Sequence, residues 1–210
     1  VVCTTTSTSG AKPGCQQESL GKKDTLQPVL LDAPKERQNM VENFQRCMTL
    51  LLESEGGYVH DPKDPGGCTN MGVTKKMWEY FSKSEVSEED MKNLTLNDVV
   101  PFYKELFWDA VKGDLLPTGI DYCVFDCAVN SGAHRSIKIL QTVAGVEPDG
   151  MIGDKTLAAV NKANRLNLIE EFNDKRMAFL SVLPTFNHFG RGWTARVNAV
   201  EDQSKGMSSA

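Results

Sequence analysis

The sequence predicts a mainly α-helical fold: a helical bundle interrupted by one short irregular or β-hairpin segment near residues 56–74. Three observations carry that expectation. Apolar residues recur at helical spacing through most of the chain after residue 41. One stretch, YVHDPKDPGGCTNMG at residues 58–72, breaks the pattern with two Asp-Pro pairs and a Gly-Gly, and proline excludes helix there. The composition is that of an ordinary globular chain, 210 residues with 40% hydrophobic and 24% charged, which excludes a disordered chain, a coiled coil and a collagen-like fibre. No apolar run reaches the roughly 18 residues of a membrane span, so no membrane partner is expected.

Residues 1–40 read as a Ser/Thr/Pro-containing tail or linker, from VVCTTTSTSG through Pro13, Gly14, Pro28 and Pro34. From Val41 the chain turns helical: Val41, Phe44, Met48, Leu51 and Leu52 share one face, and Gly56-Gly57 should end that helix. Thr74 is placed to cap a helix to Phe81, and Thr95 to precede one over Asn97–Lys112. Ile120–Asn130 reads as a largely buried helix stopped at Asn130-Ser131-Gly132. Helices follow at His134–Val143, Thr156–Asn164 and Leu168–Leu183, with a turn at Glu147-Pro148-Asp149-Gly150. A short helix over Gly190–Val200 carries Trp193. The expected organisation is a tail at 1–40, a first region at 41–128 and a helical region at 129–205 packed on it.

The formal net charge is −5, and the tail is near neutral, so the acidity belongs to the remainder. Nucleic-acid binders carry a basic footprint that is missing here, so no nucleic-acid partner is expected. The chain opens on Val1, which marks a processed form or a piece of a longer chain, and residues 1–10 show no signal-peptide pattern. Six cysteines are too few for a disulfide scaffold; Cys3 and Cys15 could pair, and their redox state stays open.

Two glutamates end the first helix. At 100° per residue, Glu55 falls on the apolar stripe with Phe44, Met48, Leu51 and Leu52, while Glu53 lies about 160° away and faces water. Burial and the negative helix C-terminus would both raise the pKa of Glu55, giving an acid able to protonate a glycosidic oxygen. The alternative is a frayed helix end with Glu55 solvated. Downstream, Asp61 and Asp64 lie on a Pro-stiffened loop, with Gly66-Gly67 and Thr69 beyond. A second carboxylate near a protonated Glu is the two-group arrangement of glycoside hydrolysis, although Asp-Pro pairs also simply initiate turns.

The run EGGYVHDPKDPGGCTNMGVT, residues 55–74, resembles the signature of glycoside hydrolase family 108, the phage- and bacterial-type N-acetylmuramidases. The resemblance implies that Glu55 is the catalytic acid. Its spacing to Asp64 and Thr69 is similar to the Glu–Asp–Thr triad of phage-type lysozymes, with four residues between Asp64 and Thr69 in place of the usual five. FDCAVNSGAHRSIKILQTVAGVEPDGMIGDKTLAAV, residues 125–160, together with Gly192-Trp193 and Arg196-Val197, resembles the peptidoglycan-binding-type helical segment that follows in that family. The match spans roughly residues 42–200. It implies a lysozyme-like α+β fold and hydrolysis of the β-1,4 bond from N-acetylmuramic acid to N-acetylglucosamine. Glycan strands of peptidoglycan are the implied substrate, the bacterial periplasm or cell wall the place of action, and no cofactor or metal is implied. Tyr58, Asn70, Asn130 and Trp193 are candidate substrate contacts.

Other readings stay open at this stage. A lytic transglycosylase needs only Glu55, and a wall-binding module needs no catalysis. A phage endolysin, a virion-associated lysozyme and a secreted effector would share these residues; only the last would have an immunity protein as partner. A monomer is expected. His60, Cys68, Cys123 and Cys127 draw a zinc site only on paper, because helical cysteines on an apolar face are usually core residues. Cys68 with His134 lacks any local signature of a nucleophile pair. Asp149-Gly150 with Asp154 does not have the spacing of a calcium loop.

Overall fold

In the computed structural model, which describes residues 33–53, 56–60 and 67–209, the chain is mainly helical with one two-stranded antiparallel sheet. Helix α1 covers Ala33–Glu53 and starts eight residues before the expected Val41. Pro34, taken as a breaker, falls in the first turn, where a missing N–H costs nothing and the fixed φ suits the helix. Strands β1 (Thr69–Asn70) and β2 (Val73–Thr74) form a hairpin across Met71-Gly72. Both turn residues have positive φ, 47° and 77°, the geometry that matches the twist of a two-residue hairpin.

Helix α2, Lys75–Ser82, starts where the sequence places it: Thr74 accepts a hydrogen bond from the Met77 amide at 3.3 Å. Helix α3, Glu88–Lys92, was not foreseen, because five residues give too short a window for periodicity. Its local signature is the Ser87/Asp90 capping box, closed by Asp90 N to Ser87 Oγ at 3.1 Å and Ser87 N to Asp90 Oδ2 at 2.8 Å. The single helix expected over Asn97–Lys112 is three pieces: α4 at Leu96–Tyr103, a π-helical turn at Lys104–Trp108 and a 3₁₀ turn at Gly113–Leu115. Pro101 lies inside α4, and the ladder past it slips to the wider spacing, with Asp109 N on Lys104 O at 2.8 Å. That slip turns Phe107 and Trp108 inward.

Helix α5, Ile120–Ser131, is the centre of the molecule: every residue from Ile120 to Ala128 is buried. A helix buried all round needs partners on all sides, and it has them in α1, α6 (Ala133–Val143), α8 (Arg165–Ser181) and α9 (Phe186–Ser208). Trp108 packs on Phe44 at 5.2 Å and Phe125 at 5.4 Å between ring centroids, joining α1, the π-helical turn and α5. The loop before α7 (Asp154–Lys162) is held by Gln141, whose Nε2 donates to Asp149 Oδ1 at 2.7 Å and Met151 O at 2.9 Å. Helix α9 runs 23 residues where a short helix over Gly190–Val200 was expected. Gly190 lies inside this helix in close packing, where a side chain would meet the Phe186 ring.

Candidate functional site

The last turns of α1 point Phe44, Met48 and Leu51 into the core and leave Glu53 exposed, as the helical arc requires. Glu55, Asp61 and Asp64 lie outside the described residues. What is described is the frame on either side of them. Val59 and Thr69 exchange both backbone hydrogen bonds at 2.8 Å, so the two ends of the segment between them lie side by side. Thr69 also pairs with Thr74 across the hairpin, which puts it between Val59 and Thr74. Its side chain is half-buried.

The hairpin is fixed from behind by two polar anchors. Asn70 is buried, and its amide nitrogen donates to Met91 O at 2.8 Å and Lys92 O at 3.4 Å, satisfying carbonyls at the end of α3. The nitrogen of this expected substrate contact is thus spent inside the protein. Tyr103 donates its hydroxyl to Met71 O at 2.8 Å and holds the tip of the turn.

Tyr58 is half-buried over a small core of Cys68, Val86 and Met91, with the Lys92 ammonium 5.4 Å from its ring centroid. Its hydroxyl abuts the Cys68 thiol, a weak partner that does not close a well-formed hydrogen bond. Burial of the hydroxyl pushes the phenol above its ordinary pKa, and the Cys68, Glu88 and Glu89 side chains act in the same sense. Tyr58 therefore stays neutral at any physiological pH.

Two cavities are lined by residues of the helices. One, of about 580 Å³, runs between α1 and α4, walled by Met48, Leu52, Leu96, Val100 and Pro101 with Glu53 at its rim. That volume is in the range of small-molecule pockets, about 300–1,000 Å³. The other, of about 170 Å³, is where Asn130 and Trp193 come together, beside Ser131, Arg135, Arg176 and Arg196. The sequence-predicted residues thus fall into two groups: Tyr58, Thr69 and Asn70 around the hairpin, and Asn130 with Trp193 at the second cavity.

Arg176 is the residue that sequence reasoning missed. It is 1% exposed and donates to Asp126 Oδ1 at 2.6 Å, while Arg196 reaches Asp126 Oδ2 at 2.8 Å. A signal was present: Ile169, Phe172, Asn173, Arg176 and Leu180 fall on one helical face, so the arginine sits among core positions.

Among the described residues no three His, Cys, Asp or Glu side chains gather as a metal group. Cys123 and Cys127 are core thiols pushed up by burial, and Cys47 and Cys68 are also free and buried. Cys3 and Cys15 lie outside the described residues.

Residues 48–132 match the model of the glycosyl hydrolase 108 family, and residues 135–198 match that of a predicted peptidoglycan domain. The structure is similar to that of Brucella abortus SagA, with a TM-score of 0.75 and 43% identity over 81% of this chain and 98% of that one. No curated protein matches.

Proposed function

The chain belongs to the glycosyl hydrolase 108 family and is a peptidoglycan hydrolase, and we propose that it is an N-acetylmuramidase with Glu55 as its general acid. Its place of action is the cell wall. The bond cut is the β-1,4 linkage from N-acetylmuramic acid to N-acetylglucosamine. Glu55 gives its proton to the leaving oxygen as the C1–O bond breaks. Asp64, with the Thr69 hydroxyl, positions the water that adds at C1 and takes the proton that water releases, or stabilises the cationic centre as it forms.

The observation that best supports this reading is the Val59–Thr69 ladder. It sets Thr69 beside Val59, which follows Glu55 by four residues in the sequence, and Asp64 lies between the two in the sequence. Tyr58, half-buried and neutral, offers a ring face and edge on the same ladder for sugar contact.

The test is mass spectrometry of the soluble products released from purified peptidoglycan. Fragments ending in reducing N-acetylmuramic acid are expected, and Glu55→Gln should lower their rate of release by about 10²–10⁴-fold, because it removes the proton donor at nearly constant volume. Glu53→Gln, on the exposed face, should leave the rate within about twofold, since an exposed substitution away from the chemistry changes little. Anhydro-muramyl ends would show a lytic transglycosylase and remove the role given to Asp64. Equal loss in the two variants would refute the assignment of Glu55.

A further inference from the structure

The cavity at the junction of α5, α6, α8 and α9 has a feature that the fold alone does not need. Arg176, on its wall, is a fully charged guanidinium at 1% exposure, and two of its nitrogens, Nε and Nη1, have no hydrogen-bond partner. Among the described residues only Nη2 is engaged, on Asp126. Asp126 in turn is shared with Arg196, which takes its second oxygen through Nη2 at 2.8 Å and Nε at 3.1 Å. One carboxylate thus serves two arginines, and Arg176, with its two remaining nitrogens buried, forms part of the cavity wall. Leaving a desolvated cation half-satisfied is costly, and a cation in that state is a ready partner for an anion.

The rest of the wall has a matching character. Arg135 contributes a third guanidinium at the mouth, stacked over Phe179 at 4.0 Å, so its position is fixed by the ring. Asn130 and Ser131 add polar atoms from the end of α5, and Trp193 adds a flat apolar side. Beyond Arg135 the same surface continues as an open basic hollow with His134, Lys138 and Lys175. In a chain of net charge −5, this face is locally positive and draws anions toward the opening. A volume of about 170 Å³ is below that of a small-molecule pocket, about 300 Å³ at least, so a disaccharide does not fit. A carboxylate carrying one small aliphatic substituent does.

We propose that this cavity binds a carboxylate of the peptide stems that branch from the glycan strands, with Arg176 as the buried anchor and Arg135 as the outer contact. The inference rests on peptidoglycan being the substrate. It gives the helical region a distinct chemical role, in which it reads the peptide and not the sugar. The region would then hold the polymer by its stems while the hairpin end of α1 meets the glycan.

Binding to the full chain carrying Glu55→Gln, which prevents turnover, is the direct test, measured by calorimetry with three probes. These are a disaccharide-tetrapeptide with free carboxylates, the same compound with its carboxylates amidated, and free D-alanine. The free-carboxylate muropeptide should bind at least about tenfold more tightly than the amidated one, the span of a charge-assisted hydrogen bond. Arg176→Lys, which keeps a cation for Asp126 but loses the planar fork, should weaken it by a similar factor. Arg135→Ala, at an exposed position, should weaken it several-fold without touching the buried pair, and it decides the matter if Arg176→Lys does not fold. Free D-alanine should bind weakly and compete; competition by D-alanine as strong as the muropeptide's own binding would mean a free amino acid is the ligand and overturn the assignment to stems. Equal binding of the free and amidated muropeptides, or affinity unchanged in both arginine variants, would refute the proposal. A carboxylate-dependent muropeptide signal without Glu55-dependent cleavage in the parent chain would leave this site standing and remove the muramidase reading.

Discussion

Asp121 is a carboxylate buried in the first turn of α5, where it accepts hydrogen bonds from the Gly119 and Tyr122 amides at 2.7 Å and from Asn43 Nδ2 at 3.1 Å. Burial pushes its pKa up to about 7; the hydrogen bonds act against that and do not cancel it. The native state therefore holds a proton on Asp121 at pH values where the unfolded chain, near the ordinary 3.9, has lost it. Stability from this residue is complete below about pH 4 and falls as the pH rises through about 7, because the native state then binds more protons than the unfolded one. Urea midpoints at pH 5 and pH 8 should show the wild type losing stability over that interval relative to Asp121→Asn, which cannot ionise. Parallel pH dependences in the two proteins would show that Asp121 is charged throughout. Arg176 poses the opposite problem, a buried guanidinium with five donors, and so it needs Asp126 and a further acceptor.

At the scale of elements, the hairpin β1–β2 is too short to stand alone, and its position depends on side chains that come from elsewhere. Asn70→Ala removes the donor to Met91 O and Lys92 O and leaves buried carbonyls without it, a loss of about 1–3 kcal/mol in thermal or urea unfolding. Amide exchange at Val59 and Thr69 should quicken in the same variant, since the ladder would lose its backing. No change in either measurement would mean that Tyr103 alone fixes the hairpin. Much of this architecture was legible in the sequence, and the departures have physical causes. The face of α1 with Phe44, Met48 and Leu51, the Thr74 cap and the buried α5 follow from periodicity and capping chemistry. The early start of α1 does not, because Pro34 reads as a breaker yet fits a first helical turn, and the slip after Pro101 does not, because periodicity carried the expected helix past that proline. Motif and helical arc point to Glu55, which lies outside the described residues, whereas the pairing of Asp126 with Arg176, fifty residues apart, leaves only the weak trace of an arginine on an apolar face.

At the scale of the whole molecule, the C-terminal helix closes back on the start of the central one. Tyr122 donates to Gln203 Oε1 at 3.0 Å and Ser208 donates to Thr118 O at 2.9 Å, so the last turns of α9 rest against the entry to α5. Gly119 makes that contact possible: its φ is +91°, and a Cβ there would collide with Ser208 Oγ and the Ser204 carbonyl. The hydroxyl can rotate away, but the carbonyl belongs to the backbone of α9 and moves only with the helix. Gly132, between α5 and α6, has a similar φ of +87° but open space where a Cβ would stand. The two glycines therefore separate conformational strain from close packing. Gly132→Ala should cost about 1–3 kcal/mol, the range for a strained backbone alone. Gly119→Ala should exceed about 4 kcal/mol, because strain and a backbone collision add and the junction of α5 with α9 must open. Chemical denaturation of both variants tests this. Equal losses would mean that α9 shifts at little cost, and the C-terminal helix would then be a loosely held appendage. A larger loss at Gly119 with one cooperative transition would show that the region holding Trp193 and Arg196 unfolds together with the region that carries the hairpin. A single cooperative body is what the proposed division of labour needs, since a stem peptide held by Arg176 orients a glycan at the end of α1 only if the two are rigidly joined.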